Sequence, residues 1–189
     1  MAECELTTLM GCELVIGRYP RFLYNARGGS AVGEVQPGDA GQMNLHFPAE
    51  GTAIPALNGR TTRFLGLPLP PGLSVEIHPI RLNGRFDPAA GEMQLQFCAH
   101  FRFQVGLGPD LRYSAPDLLV DTLLTTETIR SQRHDRQGRR LQGVTTGVRV
   151  GSAVIEPTGE AWLDRFLGLP DEALAVLECR LSLGEDADA

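Results

Sequence analysis

The chain has 189 residues, with 42% apolar and 21% charged side chains, enough for one domain with a sizeable core. A formal net charge of −6 argues against general nucleic-acid binding, and no apolar run approaches the ~20 residues of a membrane-spanning helix. All 17 basic residues are arginine, which fits either the coding bias of a GC-rich genome or selection for bidentate anion contacts. The start, Met1-Ala2-Glu3-Cys4-Glu5, is acidic and lacks the basic and apolar blocks of a secretory leader, so the expected compartment is the cytoplasm. There Cys4, Cys12, Cys98 and Cys179, at no zinc-ligand spacing, are expected to be separate reduced thiols.

Residues 1–5 read as a frayed end. Leu14 to Tyr19 is a short apolar run, and Arg21 to Ala26 follows with Phe22, Tyr24 and Ala26 on one side. Ala31 to Gln36 and Gln42 to Phe47 alternate in the same way, separated by Pro37-Gly38-Asp39-Ala40-Gly41. Tight turns of this kind join antiparallel neighbours. Pro48 to Pro71 reads as an irregular connection with one helical turn near Thr61 to Leu65.

Leu73 to Val105 carries the clearest signal. Two long strands flank a turn at Asp87-Pro88-Ala89-Ala90-Gly91. In the second strand Met93, Leu95, Phe97, Ala99, Phe101, Phe103 and Val105 point one way. Glu92, Gln94, Gln96, Cys98, His100, Arg102 and Gln104 point the other. In the first strand Val75 and Ile77 share one parity and Ile80, Leu82 and Phe86 share the other. The switch falls at Pro79, which predicts a bulge or bend there. Thr122 to Ile155 reads as a second hairpin with a long basic tip around Asp135-Arg136-Gln137-Gly138.

Thr158 can cap a short helix carrying Trp162, Leu163, Phe166 and Leu167, stopped by Gly168 and Pro170. Ala175 to Leu183 alternates as a strand, with a helix from Pro170-Asp171-Glu172 as the rival, and residues 184–189 read as a frayed acidic tail. The predicted fold is a single all-β domain, an antiparallel β-sandwich or flattened β-barrel of about 8–10 strands with one short helix near the C-terminus.

Arg63-Phe64-Leu65-Gly66-Leu67-Pro68 recurs letter for letter as Arg165-Phe166-Leu167-Gly168-Leu169-Pro170. Its physical content reads as a helix stop: apolar anchors, a glycine for the positive dihedral, then proline. It fits either a pseudo-twofold repeat or convergent cap chemistry. The stretches Arg63 to Leu73 and Ala161 to Pro170 resemble small uncharacterised β-rich proteins of photosynthetic bacteria, a resemblance that implies no activity and no catalytic residues.

Three candidate chemistries emerge. Arg130, Arg133, Arg136, Arg139 and Arg140, with only Asp135 nearby in sequence, predict a positive lobe for an anion or an acidic partner. His78, Cys98, His100 and Arg102 become a polar cavity wall if that side of the sheet faces inward. Phe97, Phe101 and Phe103 line a packed core or, alternatively, an apolar ligand cavity. The leading expectation is a non-catalytic binding or assembly protein contacting an unknown protein or small ligand through the arginine region. The alternatives are a β-barrel carrier of an apolar or amphipathic molecule and an enzyme of unknown class. No cofactor, metal or catalytic residue is assigned.

Overall fold

In a computed structural model that describes residues 2–106, 112–142 and 146–184, the chain is built almost wholly of antiparallel strands. It opens with β1 (Ala2–Thr8), β2 (Cys12–Ile16), β3 (Phe22–Tyr24), β4 (Ser30–Pro37) and β5 (Met43–Phe47). The proline-rich stretch supplies three short pieces, β6 (Thr52–Ala53), β7 (Thr62–Phe64) and β8 (Leu67–Pro68). The long hairpin is β9 (Leu73–Asp87) and β10 (Glu92–Gly106), followed by β11 (Arg112–Ser114) and β12 (Leu118–Thr125). A two-stranded ribbon, β13 (Thr128–Arg130) and β14 (Asp135–Gln137), precedes β15 (Arg139–Gln142) and β16 (Thr146–Ile155). The short helix α1 (Ala161–Leu167) and the last strand β17 (Asp171–Leu183) complete the order.

The strand pairing closes into a barrel. The ring runs β16–β12–β10–β9–β5–β4–β1–β17 and returns to β16. Closure satisfies the backbone polar groups that an open sheet leaves on its edges. β17 is long enough to serve two walls. Its C-terminal part pairs with β1, from Thr8 opposite Cys179 to Cys4 opposite Leu183, and its N-terminal part pairs with β2. From β2 the second wall continues through β3, β7 and β8, and Leu57 bridges to Val75 on β9.

Alternation in β10 sorts its side chains as its sequence implies. Met93, Leu95, Phe97, Ala99, Phe101 and Phe103 pack inward, while Gln96, His100 and Arg102 lie on the outer face. No helix among the described residues is long and apolar enough to cross a membrane.

Asp87 holds the hairpin turn by accepting the Ala89 and Ala90 amides at 2.9 and 3.0 Å. The expected bulge is present: Cys98 opposes Arg81 while Ala99 opposes Pro79. Ile80 is the extra residue, so it points outward with 47% exposure instead of sharing the inward row of Leu82 and Phe86.

Several expectations need correction. Residues 2–5 are not frayed but belong to β1, held between β4 and β17. The expected helical turn at Thr61 to Leu65 is instead the start of the β7–β8 hairpin, with Leu65 and Gly66 at positive φ in its turn. The basic segment does not extend one long hairpin. It forms the separate β13–β14 ribbon, whose loop lies at Ser131 to His134 rather than at Asp135 to Gly138. Residues 171–183 are strand throughout, and residues 185–189 lie outside the described residues.

The helix forms where its spacing predicts. Gly168, at φ 73°, ends it in the left-handed conformation. Thr158 acts at its start indirectly: its Oγ1 accepts the Glu160 amide and donates to Asp164 at 2.6 Å. Leu163 and Leu167 are buried against Ala115, Leu118 and Ile155, whereas Trp162 and Phe166 remain exposed. That packing sets the helix beside the seam between β12 and β16, which share one ladder position, Thr125 opposite Val150.

Candidate functional site

A cavity of about 440 Å³ lies inside the barrel beneath α1. Its cause is legible in the β16–β17 ladder. Gly151 faces Ala175 and Ala153 faces Ala173, so one wall presents almost no side-chain volume. Leu14, Phe101, Phe103, Val120 and Ile155 close the other sides, and the surface presented is almost entirely carbon. Thr122 is a polar member of the wall, and its Oγ1 already donates to the Ser152 carbonyl at 2.8 Å.

Two residues further along β16, Arg149 sits opposite Leu177 on the same inward row. It is only 2% exposed, and neither its Nε nor its Nη1 has a hydrogen-bond partner. Arg149 lines a smaller chamber of about 110 Å³ that shares Leu14, Phe101, Val120, Thr122 and Ala175 with the large cavity. Among the described residues no carboxylate lines either space. The nearby titratable groups do not supply one. Burial pushes the Cys12 thiol up to about 11, against the opposing pull of the Glu178 carbonyl and of Arg149. Burial also raises the Tyr24 phenol, whose hydroxyl donates to the Pro55 carbonyl. Both stay neutral near pH 7.

Aromatic rings gather at the rim of the cavity. Tyr19 lies 6.3 Å from Phe64 and 5.7 Å from Phe166 between ring centroids. Its hydroxyl donates to the Phe166 carbonyl at 2.6 Å. Phe64 and Phe166 occupy the same place in the two copies of the repeated hexapeptide, so both copies meet at one ring. Phe166 is 56% exposed and lines the cavity at the same time, which makes it part of the mouth. Trp162, on the same helix, donates its Nε1–H to the Tyr113 hydroxyl at 3.2 Å and does not reach the cavity.

The structure places the sequence-derived candidates elsewhere. His78, Cys98, His100 and Arg102 line neither interior space. His78 meets Glu76 on the outer face at 3.2 Å. Arg102 grips Asp117 through Nε at 2.8 Å and Nη2 at 3.0 Å, and that bond holds the Asp117 carboxyl below its usual range. Cys98 is buried between Arg81 and Asp121 of the flanking strands, and His100 keeps a buried Nδ1 without a partner.

The arginine group is spread and largely paired. Arg130 faces Asp135 at 3.5 Å, Arg133 faces Asp171 at 2.7 Å and Arg139 faces Glu178 at 3.5 Å. Arg140 bridges Glu92 and Glu127. Only the guanidinium of Arg136 faces no carboxylate among the described residues; its Nη1 donates to the Asp135 carbonyl. Asp171, Glu178 and Glu92, which neutralise much of the lobe, come from strands distant in sequence, so they were not visible locally. Among the described residues no group of three or more His, Cys, Asp or Glu side chains gathers to hold a metal ion.

Sequence reasoning missed Arg149. Its signal was parity: Gly147, Arg149, Gly151, Ala153 and Ile155 form one row, and an arginine in a row of small and apolar residues is placed to face the interior. Comparison of the chain with protein families, curated proteins and solved structures gives no match.

Proposed function

We propose that the protein is a carrier that encloses an apolar or amphipathic small molecule within its barrel. The observation that carries this reading is the apolar cavity of about 440 Å³. It falls within the roughly 300–1,000 Å³ range of small-molecule sites. Empty apolar space is costly to a core, because its lining forfeits dispersion contacts that a filled core would make. The Gly151–Ala175 and Ala153–Ala173 pairs maintain that space along a whole wall, where larger side chains would fill it. The arginine ribbon gives less support to an assembly role, since four of its five guanidiniums already face carboxylates.

The test fills the cavity from the small wall. N-phenyl-1-naphthylamine, a neutral dye that brightens in apolar surroundings, should bind the wild-type chain at a saturable site. Ala153→Phe should weaken binding by about tenfold or more while leaving the melting temperature unchanged or raised, since the ring enters the cavity rather than a packed core. Equal dye binding by both proteins would place the dye outside the barrel and dismiss the carrier reading. Native mass spectrometry of the purified wild-type chain would show any co-purifying molecule directly.

A further inference from the structure

Among the described residues Arg149 is the one charged side chain in the walls of the two adjoining interior spaces, and no acid lines either of them. A guanidinium remains protonated at any pH a protein survives. A buried charge of this kind is costly unless a counter-charge and hydrogen bonds compensate it. The neighbouring hydroxyls give their protons to backbone carbonyls, and none of them accepts from Arg149 Nε or Nη1. Thr8 Oγ1 donates to Ala26 O at 2.7 Å, Thr52 Oγ1 to Pro48 O at 3.0 Å, and Thr122 Oγ1 to Ser152 O at 2.8 Å. The polar end of the interior therefore presents a cation with no counter-charge from the described residues, and the other end presents a carbon-lined space.

We infer that the barrel's ligand is an amphipathic monocarboxylate, its carboxylate seated on Arg149 in the small chamber and its apolar body filling the large cavity. This rests on the carrier reading and names the ligand class for the same site. The two chambers share five wall residues and so lie side by side, the arrangement that a ligand with its head in one and its body in the other requires. A planar carboxylate matches the guanidinium donors in a way that a neutral hydroxyl cannot. Removal of the charge converts the chamber into an apolar one, so the variant Arg149→Met loses discrimination rather than all binding.

Dodecanoate and dodecan-1-ol, which share an apolar body and differ in the head, separate the two readings by displacement of N-phenyl-1-naphthylamine. The wild-type chain should prefer dodecanoate over dodecan-1-ol by about tenfold or more, the scale of one charge-assisted hydrogen-bonded contact. Arg149→Met should bind the two alike, and its retention of the alcohol shows that the barrel is intact. Equal affinity of the wild-type chain for both would overturn the carboxylate inference and leave the carrier reading standing. So would a preference for dodecanoate that survives in Arg149→Met. Failure of the wild-type chain to bind either compound or the dye would overturn both readings. Should Arg149→Met not fold, Arg149→Gln, which removes the charge and keeps a polar side chain, takes its place with the same expected loss of preference.

Discussion

Glu172 shows how a single carboxylate organises a loop that its own neighbours in sequence do not define. It accepts Ser131 Oγ at 2.7 Å, the Arg133 amide at 3.1 Å and the Gln132 amide at 3.2 Å, so it closes the β13–β14 ribbon from the start of β17. The Ser131 hydrogen bond, with the two amides behind it, holds its pKa below the usual glutamate value. For a depressed carboxylate the stabilisation is full above the unfolded value and fades as pH falls through the lowered folded one. Amide protection at Gln132 and Arg133 should therefore be present at neutral pH and decline below the ordinary glutamate range. Glu172→Gln should lower protection at pH 7 and flatten that pH dependence, as hydrogen-exchange mass spectrometry corrected for intrinsic rates would show. An unchanged profile in the variant would remove Glu172 from this role. The sequence could not disclose the contact, because β14, β15, β16 and α1 all lie between Ser131 and Glu172; a similar distance in sequence hid the partners of Arg133 and Arg139 and the Glu92 partner of Arg140.

Elements show the reverse relation, with local pattern decisive in some and ambiguous in others. β9 and β10 curve into the barrel through Gly84, where a Cβ would collide with the carbonyl oxygen of Gln94 on the paired strand. Backbone cannot yield as a side-chain tip can, so Gly84→Ala should cost about 3 kcal/mol by urea unfolding, the upper range for overpacking. Gly66→Ala meets open space and should cost less, about 1 kcal/mol, set by its positive φ alone. A cost for Gly84→Ala no larger than for Gly66→Ala would show that the strands separate freely there. The β9–β10 hairpin was legible because residues 92 to 105 alternate without a break and Pro79 marks the bulge. The repeated hexapeptide was not legible, since Gly at positive φ serves a hairpin turn at Gly66 and a helix stop at Gly168 equally well. Tertiary surroundings decide: Phe64 stacks on Phe22 of β3, while Leu167 is buried on the barrel seam. β1 was obscured because its inward row, Ala2, Cys4 and Leu6, is mostly small and its outward row is acidic.

The whole molecule couples a closed barrel to a helix that stands over its apolar cavity. On the carrier reading, the expected route of a ligand is the aromatic rim between α1 and the β7–β8 hairpin, where Tyr19, Phe64 and Phe166 meet and line the cavity. Tyr19 ties that rim together through its ring contacts and its hydrogen bond to the Phe166 carbonyl. Tyr19→Phe keeps the ring and removes the hydrogen bond, worth about 1 kcal/mol, or roughly fivefold in a rate. If the bond is present in both free and bound barrels and broken only during passage, its loss lowers the barrier from either side equally. Association and dissociation of the dye should then both accelerate about fivefold, with the dissociation constant unchanged within about twofold. Stopped-flow dye fluorescence reads both rates. The emission of Trp162, the sole tryptophan, reports the helix itself from its place against Tyr113. Faster dissociation with unaltered association would instead make Tyr19 a contact of the bound molecule and move the gate elsewhere on the barrel.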